Sequence, residues 1–116
     1  MLSLPSSVRV FICSRPTDMR FAFDRLASMA ESLVLQDPLS GHLFVFRNRG
    51  GDKIKILYWD RDGLAIWYKR LEKGTFRFPE STDGKCEIDS RQLYAIIAGI
   101  DLTSTKKLKR FSLESG

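Results

Sequence analysis

A chain of 116 residues, 43% apolar and 28% charged, suits one compact globular domain and excludes a disordered or fibrous protein. A formal net charge of +5 and a pI near 9.5 favour anionic partners, nucleic acid among them, through counterion release and steering. Two cysteines and one histidine form no CxxC pair or Cys/His cluster for structural zinc, no apolar run approaches the ~18 residues of a membrane span, and the arginine-interrupted N-terminus does not read as a secretory leader, so a cytoplasmic protein with reduced thiols is expected.

The first element is a short strand in "VRVFIC", residues 8 to 13, ending at "SRP". A helix follows over about 18 to 33, with Thr17 as its cap, Asp18 at the positive end of its dipole, and Met19, Phe23, Leu26, Ala30 and Leu33 at three- and four-residue spacing. "QDPLSG" breaks the chain, and the period then drops to two. Residues 42 to 74 hold three strand-like runs separated by "NRGGD" and "DRDG", an antiparallel meander. "TFRFP" reads as a short edge strand stopped by Pro79, and residues 80 to 87 as polar loop. A second helix opens at Asp89 or Ser90 and stops at Gly99. The fold class is therefore α+β: an antiparallel β-meander packed against two helices on one face, spanning residues 1 to 102, with a basic tail from 103 to 116 that holds Lys106, Lys107, Lys109 and Arg110.

Turn chemistry sets the registers. A type I turn over Asp60, Arg61 and Asp62 with Gly63 left-handed puts Trp59 against Ala65, Leu57 against Trp67 and Lys55 against Lys69. A tip at Gly50 and Gly51 puts Phe46 against Lys55, Val45 against Ile56 and Phe44 against Leu57. One face then carries Leu43, Val45, Ile54, Ile56, Tyr58, Leu64, Ile66 and Tyr68 and forms the core. The opposite face mixes Phe44, Phe46, Leu57, Trp59 and Trp67 with Lys53, Lys55 and Lys69. Rings interleaved with cations are how sheet surfaces hold single strands; such a face also serves as a second core layer or a dimer interface. The residues expected to bind nucleic acid or a protein partner are Arg20, Phe44, Phe46, Lys53, Lys55, Trp59, Trp67, Lys69 and Arg70.

Catalysis has little to stand on. Asp60 and Asp62 are explained by the turn, His42 has no identifiable nucleophile, Cys13 and Cys86 lack the setting of a reactive thiol, and "NRGGD" lacks the Lys-Ser/Thr and helix of a phosphate loop. No cofactor or metal is called for.

"PTDMR", "DPLSGHLFVFRNR", "DKIKILYWDRDGLAIWYKRLEKGTFRFP" and "QLYAIIAGID", in this order over residues 8 to 102, resemble the accessory Orf2 (TnpB) proteins of the insertion-sequence-66 family of bacterial transposons. Motif positions of that family fall here on Asp18, Met19, Arg20, Gly41, Phe44, Phe46, Lys55, Leu57, Trp59, Asp60, Gly63, Lys69, Arg70, Leu71, Phe76 and Pro79, while Phe21-Ala22 departs from its usual basic-glycine step. The resemblance implies a non-catalytic protein encoded beside a DDE transposase and needed for efficient transposition. Its expected partners are that transposase, DNA, or both, with self-association as a further mode and no membrane. A pure protein-interaction module that docks on the transposase without touching DNA is the alternative.

Overall fold

A computed structural model describes residues 4–81, 85–100 and 110. Its elements in chain order are β1 (Val10–Cys13), α1 (Phe23–Met29, continued by a π-helical stretch Ala30–Val34), β2 (Leu43–Arg47), β3 (Lys53–Asp60), β4 (Gly63–Arg70), β5 (Lys85–Ile88) and α2 (Ser90–Ala98). The strands form one open sheet in the order β4-β3-β2-β1-β5. β1 and β2 run parallel, joined through α1, and every other pairing is antiparallel. The α+β class and the β2-β3-β4 meander are as the sequence implies.

The helices lie on opposite faces of the sheet, not on one. "VFIC" and "LFVF" are apolar at consecutive positions, so both faces of β1 and β2 demand cover. Val10, Ile12, Val45, Ile54 and Ile56 pack with Leu93 and Ile96 of α2, whereas Phe11, Phe44, Phe46 and Leu57 pack with Leu26, Ala30 and Val34 of α1 and its extension. What the sequence suggested as an aromatic surface is, over β2, a second core.

Four local expectations also change. The first helix starts at Phe23 because residues 17 to 22 are held otherwise: the Thr17 N–H donates to Arg47 C=O at 2.9 Å, and Asp18 C=O accepts the Phe21 N–H at 3.0 Å. Thr17 caps nothing and is buried. Residues 75 to 79 join no ladder; one bond from Phe76 N–H to Gly51 C=O at 2.8 Å seats the Phe76 ring, fully buried, in the α2-side core. Within the stretch read as loop, Lys85–Ile88 is an edge strand pairing Val10 with Ile88 and Cys13 with Lys85.

α2 is built as its sequence implies. Asp89 accepts the Gln92 N–H, the Gln92 side chain accepts the Asp89 N–H, and Gly99 closes the helix at φ 80. Lys106, Lys107 and Lys109 lie outside the described residues. Arg110 is not a solvated cation: it donates to the carbonyls of Ile97 and Ile96 at 3.0 and 3.2 Å, where α2 leaves acceptors unpaired, and sits over the Phe76 ring.

The hairpin between β3 and β4 decides the faces. Its loop has two residues, Arg61 and Asp62, rather than the longer turn expected. Arg61 takes the left-handed conformation at φ 54, and Asp60 pairs with Gly63. Every partner on β4 therefore shifts by one, and its faces exchange. Lys55 faces Tyr68, Ile56 faces Trp67 and Ile54 faces Lys69. The β2–β3 register is the expected one, with Phe46 on Lys55 and Phe44 on Leu57.

Candidate nucleic-acid interface

Lys55 lies in the middle of β3 on the α1 side, and its side chain is buried. A buried ammonium needs acceptors, and its Nζ donates to Met19 C=O at 2.7 Å and Phe21 C=O at 2.8 Å. The same Nζ stands 4.8 Å from the centre of the Tyr68 ring, its neighbour across the strands. Lys55 thus fastens the segment before α1 onto the sheet. Its position fixes where Asp18 and Arg20 stand.

Across from that segment is the β2–β3 loop. Asn48 closes it, exchanging N–H and C=O with Lys53 through its backbone N–H (3.1 Å) and its side-chain Oδ1 (3.0 Å). Gly51, at φ 79, makes the turn, and a Cβ there would press on Thr75 at 3.3 Å. The loop and the segment before α1 enclose an open cleft of about 730 Å³, lined by Pro16 to Arg20, Asn48 to Gly50, Lys53 and Tyr68.

Three cations face this cleft: Arg20, Arg49 and Lys53. Its one acid, Asp18, is engaged by Arg20, whose Nη2 and Nε reach Oδ2 at 2.7 and 3.0 Å while the Arg20 backbone N–H reaches Oδ1 at 2.9 Å. Those hydrogen bonds hold the Asp18 carboxyl at about 2, well below the usual carboxylate range. Arg49 and Lys53 form no salt bridge among the described residues, although the Lys53 charge, after the hydrogen bond from Asn48, helps hold the neighbouring Asp52 carboxyl below its usual range. Arg70 stands opposite Lys53 across the strands, donating to Glu72 at 2.9 Å. Tyr68 is 49% exposed, enough for an aromatic ring to lie on it. The arrangement provides separated cations for phosphate oxygens and one flat ring for a base or sugar.

The nine residues expected to bind therefore divide. Arg20 and Lys53 line the cleft and Arg70 flanks it. Phe44 and Phe46 are core side chains under α1, fully buried, and Lys55 is a buried fastener. Trp59 is half-buried opposite Leu64, several residues along β3 from the cleft. Trp67 and Lys69 fall on the α2 face, so the expected cluster of Trp59, Trp67, Lys55 and Lys69 does not exist. Lys55 and Lys69 do not oppose each other.

The other candidates have structural duties. His42 Nδ1 accepts the Arg9 N–H at 3.0 Å and its ring stands edge-on to Phe11. Cys13 is buried, and burial raises its thiol pKa. Among the described residues no three His, Cys, Asp or Glu side chains converge to hold a metal, and no helix is long and apolar enough to cross a membrane.

The family described as IS66 Orf2 like protein matches residues 8–107. The chain belongs to this family. Its setting is therefore transposition, as the sequence resemblance implied. Two similar proteins come from Sinorhizobium fredii (strain NBRC 101917 / NGR234), both named only as uncharacterized. One, y4hO, is 39% identical over 87% of this chain and 88% of its own length; the other, y4jC, is 32% identical over 92% of each. No solved structure matches. In this IS66 Orf2-like chain the "PTDMR" and "NRGGDK" segments, some 30 positions apart, form the two walls of one cleft. Sequence reasoning missed Arg49 and Tyr68. Arg49 could have been found from its place in the tip of a hairpin that begins with Asn48 and contains two glycines. Tyr68 was displaced by the slipped register.

Proposed function

We propose that this IS66 Orf2-like protein assists its element's transposase without doing chemistry itself, by gripping the sugar–phosphate backbone of DNA in the Arg20–Arg49–Lys53 cleft. The convergence of Arg49 and Lys53, neither engaged in a salt bridge among the described residues, beside the exposed Tyr68 ring supports this reading above all. Arg70, opposite Lys53 and paired with Glu72, borders the cleft. Such contacts fix position and confer affinity, and carry no base readout by themselves. The net charge of +5 adds long-range attraction.

The test is a mobility-shift titration over a range of salt concentrations, on duplex and on single strands, comparing the protein with an Arg49→Gln, Lys53→Gln variant. Two lost phosphate contacts should lower the slope of log affinity against log salt by roughly 2 and weaken binding on the order of tenfold or more at low salt. Absence of binding by the unaltered protein at low salt would refute the DNA reading. Co-purification with the transposase that survives in the variant would then favour a protein-docking module.

A further inference from the structure

Among the described residues, β4 is an eight-residue strand at the edge of the sheet. Its pairings with β3, together with the bond from Leu71 N–H to Asp52 C=O at 2.7 Å, fix which of its backbone groups point inward. Gly63, Ala65, Trp67, Lys69 and Leu71 turn theirs to β3, so Leu64, Ile66, Tyr68 and Arg70 direct N–H and C=O away from the sheet. An edge of this length usually carries a proline, a bulge or charged side chains against further pairing; β4 has its charges, Lys69 and Arg70, at its last two positions, and residues 64 to 68 carry none of these devices.

We propose that this edge pairs antiparallel with the same edge of a second copy, the two Ile66 residues meeting at the twofold axis. Charge selects the occupant and the register. Asp62 stands just before β4 and Arg70 ends it, so the antiparallel arrangement centred on Ile66 sets Asp62 of each copy against Arg70 of the other. Glu72 occupies Nε and Nη2 of Arg70, leaving Nη1 for the incoming carboxylate. The same register lays each Trp67 beside an Ala65, large against small, and Leu64 beside Tyr68. Moving the centre to Trp67 would collide the two indoles and lose the acid–base match. A twofold axis of this kind is perpendicular to the sheet, so both Arg20–Arg49–Lys53 clefts face the same way on a ten-stranded sheet. The pairing stands independently of what the clefts hold.

Sedimentation of the unaltered 116-residue chain across concentrations tests the dimer, and cysteine cross-linking tests the register. In a Cys86→Ser background, Ile66→Cys should form an intermolecular disulfide, because a hydrogen-bonded pair sets Cα atoms ~5.5 Å apart, and Leu64→Cys should not. Asp62→Arg or Arg70→Asp alone should raise the dimer dissociation constant about tenfold, and the two together should restore it. A protein monomeric at every concentration overturns the proposal. So does a dimer indifferent to both charge reversals, or one that cross-links through Leu64→Cys as readily as through Ile66→Cys.

Discussion

Replacing Lys55 by Met keeps the length of the side chain and removes its charge. Two charge-assisted hydrogen bonds, to Met19 and Phe21 at 2.7 and 2.8 Å, disappear, along with the contact to the Tyr68 ring. Bonds of this kind are worth ~1.5–3 kcal/mol each. Against that loss, the variant no longer keeps an ammonium away from water, an effective cost of several kcal/mol. The two carbonyls belong to half-buried residues and recover part of their hydration on local loosening. The net effect is destabilisation by about 2–3 kcal/mol, or roughly 8–12 °C in melting temperature for a domain of this size. Urea unfolding monitored by tryptophan fluorescence gives the value directly. The distinctive expectation concerns DNA: Lys55 does not touch the cleft, yet the variant should bind more weakly even where it is fully folded, because Asp18 and Arg20 are no longer held in place. A variant with unchanged stability and unchanged binding would refute the fastening role of Lys55. A variant that lost binding only in proportion to unfolding would refute the link from Lys55 to the cleft.

Asp18→Asn keeps an acceptor for the Arg20 backbone N–H and releases the Arg20 guanidinium. DNA binding should tighten severalfold and the salt slope should steepen by about 1, both read from the mobility-shift titration. Leu35, 68% exposed and left-handed at φ 60 just after the π-helical stretch, is a poor residue for its conformation. Leu35→Gly should stabilise by about 0.5–1 kcal/mol in denaturant unfolding, relief of backbone strain outweighing the added flexibility of the unfolded chain. Acid should weaken the fold over a defined window. Asp18, at about 2, and Glu87, held below its usual value by Arg9, both bind protons less readily folded than unfolded. Their contribution is complete above the unfolded carboxylate range near pH 4 and is lost as the pH falls towards 2. Melting temperatures measured across that range should fall less steeply in an Asp18→Asn, Glu87→Gln variant.

Legibility in the sequence followed how locally each feature is determined. The start of α2 and the β2–β3 register are written in a few adjacent residues: the sequence narrows the cap to Asp89 or Ser90, though not to the Asp89–Gln92 capping box, and the Gly50-Gly51 tip sets the register. β4 could not be placed by pattern. Leu64 through Tyr68 are apolar or aromatic at every position, so no alternation chose between a two-residue loop and a longer one. The continuous runs of β1 and β2 did carry the signal that both faces are covered. β5 and the parallel pairing of β1 depend on distant partners, and four residues, "KCEI", are too few to announce a strand. The cleft needed three separated segments brought together, so its composition was visible and its membership was not. Lys55, cationic in an aromatic setting, suggested a ligand; its ligands are two carbonyls of its own chain.

The order of strands also bears on how the chain reaches its fold. β2, β3 and β4 are neighbours in sequence and in space and can zip together within microseconds, as hairpins do. β1, made first on the ribosome, must await β2 on one side and, on the other, a strand whose Ile88 pairs with its Val10 from near the opposite end of the chain. Until that closure, β1 exposes an unsatisfied border of four buried-type residues, Val-Phe-Ile-Cys. Folding should therefore be two-paced, with a fast meander and a slow final clasp set by long-range contacts. A nascent or truncated chain lacking residues 85 to 88 would display the sticky border throughout its lifetime, and aggregation of such a product is the natural consequence.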